Sequence, residues 1–150
     1  MDLILWRHAE AEDSYPDHAR ELTDKGQEQA KKMAKWLNHH LPENTRILVS
    51  PAVRAQQTAK PLELPYKTLE SLSPGSSAQE ILHAAGWTSA KDAVLIVGHQ
   101  PALGVAAAIA ITGKPHYWCI KKGAIWWITT RHRSEVEQAI IKAVLTPDLV

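Results

Sequence analysis

Three short apolar runs, Asp2–Trp6, Arg46–Val49 and Ala93–Val97, each end within a few residues of a basic or imidazole group. All three read as strands. The first leads into Arg7-His8, the second into the segment Ser50 to Ala59 that carries Arg54, and the third into Gly98-His99-Gln100-Pro101. Strands alternating with helical segments predict a three-layer α/β/α sandwich around a mostly parallel sheet. In such open sheets, ligands sit at the carboxyl ends of the strands, which is where these charged groups fall.

The helical segments carry their own end signals. Thr23 can cap a helix running to about His39, with Ala30, Met33, Ala34 and Leu37 on one face and Asp24 near its positive end. His39 and His40 fall at its C-terminus, where the helix dipole accounts for them; as neighbours they point to different sides, which argues against a metal site. Pro51 suits the first turn of a second helix, placing Arg54 one turn in and within reach of the pocket that Arg7 borders. Ser77 and Glu80 have capping-box spacing, and Gly86 would end that helix. Pro101 opens a fourth, whose small residues Gly104 to Ala110 permit close packing on the sheet. Ala124–Thr130 and Ala139–Leu145 read as final strands joined by the turn Arg131-His132-Arg133-Ser134. Trp126 and Trp127, adjacent in a strand, face opposite sides of the sheet.

A chain of 150 residues is most simply one domain, 1–150. Its formal charge of +1, with 22% charged residues, gives no broad basic field for nucleic acid. Anion recognition must therefore be local. The one cysteine, Cys119, cannot form an intramolecular disulfide, and Met1-Asp2 does not open like a signal peptide. The most apolar stretch, Ala93 to Thr112, is interrupted by His99, Gln100 and Pro101, short of the ~20 residues of a membrane span. A cytoplasmic location without membrane contact is the expectation.

A transferring phosphoryl group spreads negative charge over its equatorial oxygens and rewards preorganised cations in a partly dehydrated site. Arg7 and Arg54 match this need, since guanidinium stays charged and its planar fork fits two phosphate oxygens. An imidazole attacks phosphorus when one ring nitrogen is free and the other is held as a donor, the role assigned to His8. His99 is then a second imidazole, donating to a phosphoryl oxygen. Gly98 would permit close backbone approach, and backbone amides near Gln100 can face the anion.

The Arg7-His8 motif, the Ser-Pro-x-x-Arg-Ala-x-x-Thr-Ala segment from Ser50 to Ala59 and the Gly98-His99 pair together resemble the histidine phosphatase superfamily. The short length and the loop Asp17 to Gly26 look most like its small phosphohistidine phosphatases of the SixA type. This resemblance implies the phosphoglycerate mutase-like fold with a mixed sheet, a phosphorylated histidine intermediate on His8, and a further phosphate or substrate contact from Arg20. Larger members carry a carboxylic acid near the segment Thr68 to Pro74. Here the matching position holds Ser71, which leaves Glu70 next door as a possible acid, with Asp17 and His18 as weaker candidates.

A missing acid bears on the substrate, because phosphohistidine can be protonated on its other ring nitrogen and leave as neutral imidazole, whereas an unprotonated alkoxide leaves poorly. The leading expectation is a metal-independent, cofactor-free phosphatase acting on phosphohistidine in a protein, such as a His-containing phosphotransfer domain or carrier. Small-molecule phosphomonoesterase activity is the alternative, and a non-catalytic phosphate-binding module is a third reading. A mutase fits less well, since an open site would release its bisphosphorylated intermediate.

Overall fold

The computed structural model describes residues 1–150. Six strands form one mixed sheet: β1 (Asp2–Arg7), β2 (Arg46–Val49), β3 (Lys67–Thr68), β4 (Val94–Gly98), β5 (Ile125–Arg133) and β6 (Val136–Leu145), in the spatial order β3-β2-β4-β1-β5-β6. Neighbours among the first four are parallel, and β5 runs antiparallel to both β1 and β6. The expected mostly parallel sheet is thus present, with an antiparallel hairpin at one side.

Helices cover both faces. On one, α1 (Asp24–His40) and α2 (Val53–Ala59) bury Met33, Ala34, Leu37, Ala55 and Ala59 against Ile4, Trp6, Val49, Leu95 and Trp127. On the other, α3 (Ala78–Ala85) and α4 (Ala102–Thr112) bury Ala78, Ile81, Leu103, Ala106 and Ala107 against Leu3, Leu5, Leu48 and Ile96. Strand residues pointing alternately to two cores explain why β1 and β4 are continuously apolar rather than alternating. Trp126 packs on the α3/α4 side and Trp127 on the α1/α2 side, so the Trp pair splits between the faces as expected.

The caps follow the sequence signals. The Thr23 side chain accepts the Gly26 N–H, Ser77 and Glu80 form a reciprocal capping box, and Gly86 ends α3 in the left-handed region at φ 69°. Two expectations shift. Pro51 lies ahead of α2 rather than in its first turn, because Ala52 is the N-cap residue and the helix starts at Val53. Arg131 to Arg133 are strand, not turn: the hairpin reverses over Ser134 and Glu135, both at positive φ, and cross-strand pairs such as His132 with Glu137 at 3.2 Å carry the ladder to its tip. No helix is long and apolar enough to cross a membrane.

Two close approaches lock loops to helices. A Cβ on Gly26 would overlap the Glu10 carbonyl, and one on Gly104 would overlap the Trp118 carbonyl. Only glycine lets α1 press against the chain after His8 and α4 against the segment before β5. Both loops border the carboxyl ends of the central strands.

Candidate active site

The three strands β2, β4 and β1 lie side by side, so the groups that follow them converge at one edge. Backbone bonds continue the pairing past the strands: His8 N–H donates to the Gly98 carbonyl and Ser50 N–H to the Val97 carbonyl, both at 3.1 Å. The imidazoles of His8 and His99 are thereby brought to a centroid separation of 5.2 Å. Each is 6% exposed, and Arg54, entering from α2, is 4% exposed. The Arg7-His8 pair, Arg54 and His99, distant from one another in sequence, meet at one site.

Hydrogen bonds fix the tautomer of His8 and orient the ring of His99. His8 Nδ1 lies 2.7 Å from the carbonyl oxygen of Ala9. A carbonyl only accepts, so Nδ1 carries the proton and Nε2 keeps its lone pair. His99 Nε2 lies 2.7 Å from Ser50 Oγ, which also accepts the Ala52 N–H at 3.2 Å. A hydroxyl donates as well as accepts, and when it gives its hydrogen to Nε2 the proton of neutral His99 resides on Nδ1. That Nδ1 is buried without a protein partner. In that arrangement one ring presents a lone pair and the other an N–H.

Neutrality of both rings follows from their surroundings. Burial, reinforced by the charges of Arg54, Arg7 and Arg20, lowers His8 from the ordinary 6.5 to about 4, against the opposing effect of its Ala9 hydrogen bond. Burial together with His8 and the arginines lowers His99 to about 3. At neutral pH both are uncharged, and the positive charge of the pocket belongs to the guanidinium groups.

Each guanidinium is anchored by main-chain oxygen and keeps a donor in reserve. Arg7 Nη1 donates to the Ile120 carbonyl at 2.9 Å, and Arg54 Nη1 to the Asp17 carbonyl at 2.8 Å. The Nε atoms of both are buried and unpartnered. Together with His99 Nδ1, three buried nitrogens at one site lack a partner, a pattern an anion with several oxygens would complete. Burial also holds Arg7 below its usual pKa.

The remaining predicted groups divide. Arg20 follows a 3-10 turn at Asp17–Ala19, its Nε bonded to Asp17 Oδ1 and its Nη1 to the Glu12 carbonyl, both at 3.1 Å. Its charge reaches His8. Gly98 does not need to be glycine for close approach, because a Cβ there would make only ordinary contacts of 3.6–3.8 Å with Leu103. The Gln100 side chain is committed to structure, accepting the Gly104 N–H at 2.8 Å and donating to the Trp118 carbonyl at 2.9 Å. Glu70 is exposed and opens a 3-10 turn, Glu70–Leu72, rather than lying in a strand; its hydrogen-bond partner is Ser73, at 3.4 Å. His18 is exposed within the Asp17–Ala19 turn.

Sequence reasoning assigned no task to Ser50 or Thr58 and cast Asp17 only as a weaker candidate acid, yet all three hold this site. Ser50 orients His99. Thr58, fully buried, donates to the Arg54 carbonyl at 2.7 Å and accepts the Ala9 N–H at 3.0 Å, tying α2 to the loop after His8. Asp17 places its carbonyl and carboxylate on Arg54. Ser50 and Thr58 stand inside the motif that carried the resemblance, and that was the available signal.

Residues 3–73 match the model of the histidine phosphatase superfamily (branch 1). A phosphohistidine phosphatase SixA homolog of Haemophilus influenzae is 38% identical over 128 residues, covering 72% of this chain and 76% of the relative. Phosphohistidine phosphatase SixA of Escherichia coli is 32% identical over 127 residues, covering 76% of each. The solved structure of a protein histidine phosphatase SixA complexed with tungstate superposes with a TM-score of 0.76 at 26% identity over 99% of both chains. Over most of its length, in sequence and in fold, the chain belongs to the histidine phosphatase superfamily.

Proposed function

We propose that this member of the superfamily is a phosphohistidine phosphatase in which His8 is the nucleophile. The observation that carries the reading is the Ala9 carbonyl on His8 Nδ1, which leaves a buried, neutral Nε2 lone pair beside Arg7 and Arg54. In the first step Nε2 bonds to phosphorus as the phosphorus to nitrogen bond of the substrate breaks, its electron pair going to the departing imidazole. That imidazole carries a proton on its other nitrogen and so leaves neutral. Water then attacks the phosphoryl group on His8, and the phosphorus to Nε2 bond breaks to release phosphate and restore the lone pair. Arg7, Arg54 and the Nδ1–H of His99 bind the oxygens throughout, while Arg20 guards the rim.

Protein-borne phosphohistidine, on a phosphotransfer domain or carrier, is the substrate we propose. Support comes from the short segment 60–92, whose eight-residue α3 is committed to the core through Ala78, Ile81 and Ala85. That helix is therefore not available to close over a small molecule. The tungstate complex of the SixA neighbour supports an oxyanion pocket, and the cationic side chains Arg7 and Arg54 supply charge that a metal ion would otherwise bring.

Trapping tests the nucleophile. Brief reaction with labelled phosphohistidine should give an acid-labile, alkali-stable phosphoprotein in the wild type and none in His8→Ala, while folding is retained. Undiminished labelling of His8→Ala would refute the assignment.

A further inference from the structure

Asp17 sits where a carboxylate is unexpected in an anion pocket. Its Oδ2 lies 3.2 Å from Arg54 Nη2 and its Oδ1 3.1 Å from Arg20 Nε, while its own carbonyl takes Arg54 Nη1 at 2.8 Å. Two of the cations that a phosphate would use are therefore already sharing a negative charge. Three contacts fix its place beside the buried Arg54, yet the side chain stays 62% exposed and faces the mouth of the pocket. Desolvation opposes its ionisation, but the hydrogen bonds and charges of Arg54 and Arg20 outweigh that and hold the carboxyl below its usual range. An ionised group with no proton to give cannot be a general acid at neutral pH.

We propose that Asp17 is a specificity-determining residue: its fixed carboxylate at the mouth favours substrates whose leaving group is cationic, and disfavours phosphate esters. This rests on the phosphatase reading above and deepens it. Phosphohistidine ready to react carries a protonated imidazole, which a nearby carboxylate attracts. An ester leaves as a developing alkoxide or phenolate, which the same carboxylate repels. A further consequence concerns binding, because Asp17 competes with any anion for Arg54. The carboxylate trades affinity for bare oxyanions against selectivity for a phosphorylated ring.

Asp17→Asn tests this while keeping the size of the side chain and the main-chain bond to Arg54. An interaction between solvent-exposed charges is worth at most about fivefold in rate or affinity. The variant should lose about fivefold in kcat/KM on phosphohistidine peptide, keep or gain on p-nitrophenyl phosphate, and bind tungstate about fivefold more tightly. Equal losses on both substrates, or weaker tungstate binding, would make Asp17 a brace for Arg54 and overturn the proposal. Asp13→Asn, a neighbouring exposed carboxylate, should change neither rate; if it reproduced the shift, net charge rather than position would be the cause and the proposal would fall. A wild-type protein inactive on both substrates would instead sink the phosphatase reading, an outcome distinct from an active protein whose preference ignores Asp17.

Discussion

Ser50 Oγ stands 2.7 Å from Nε2 of His99, and a hydroxyl that donates there leaves the ring proton on Nδ1. Both residues are buried, so no solvent competes for the ring nitrogen. Ser50→Ala should release His99 to the other tautomer, turning the Nδ1 donor into an acceptor that repels phosphoryl oxygen. A buried polar group stripped of its partner costs about 1–3 kcal/mol, so the rate should fall about 10-fold or more. The loss should appear in kcat with the fold intact; an unchanged kcat would show that Ser50 does not set the tautomer.

Acid should destabilise the protein before its carboxylates titrate. His8 and His99 are lowered from the ordinary 6.5 to about 4 and about 3 by burial. Between those values the unfolded chain binds protons that the folded protein does not, so stability rises with pH across this window and is lost as pH falls through it. Below about 3 this contribution levels off, while Asp17, held below its usual range by Arg54 and Arg20, adds its own loss at the acid end. The urea midpoint should drop steadily from pH 7 to pH 4.5 in the wild type and less steeply in His99→Gln. Parallel slopes in the two proteins would rule out His99 as a source.

Chelation should leave activity intact, because the proposed mechanism neutralises phosphate with Arg7 and Arg54. Protein treated with a chelator and then assayed on phosphohistidine is expected to match the untreated sample. Tungstate and vanadate should inhibit competitively, satisfying the unpartnered Nε atoms of both arginines. A loss of activity on chelation that a divalent ion restores would contradict the mechanism.

The candidate groups were legible because each lies at or just beyond the end of an apolar run. A strand end is a local property, and once Arg7-His8 and His99 lie at strand ends and Arg54 in the first turn of the helix after β2, a parallel sheet brings them to one edge. The capping box at Ser77 was readable for the same reason. What escaped depends on contacts between distant segments: Ser50 acquires its role only when β2 and β4 are neighbours, and Ile120 becomes a ligand of Arg7 only when the chain returns before β5. Glu70 falls outside the sheet because, although the Leu69 N–H donates to the Val49 carbonyl, the ladder stops there and the chain turns into a 3-10 helix. Arg131 to Arg133 looked like a turn since polarity there reflects a hairpin projecting past the helices, not a loss of strand.

Glu70 offers the sharpest test of leaving-group chemistry. It is exposed, bonded to Ser73 within its own turn, and no contact ties it to His8 or His99. Glu70→Gln should therefore slow hydrolysis of phosphohistidine by less than tenfold, under about 1.4 kcal/mol in transition-state energy. Aryl phosphates should change little, and alkyl phosphates should be poor substrates of both forms. A general acid behaves otherwise: removing it costs about 100-fold or more, and most where the leaving group is worst. A large loss concentrated on alkyl phosphates would mean that Glu70 swings into the pocket when substrate binds. It would also favour small-molecule esters over phosphohistidine, because only an enzyme that must protonate an alkoxide has use for such an acid.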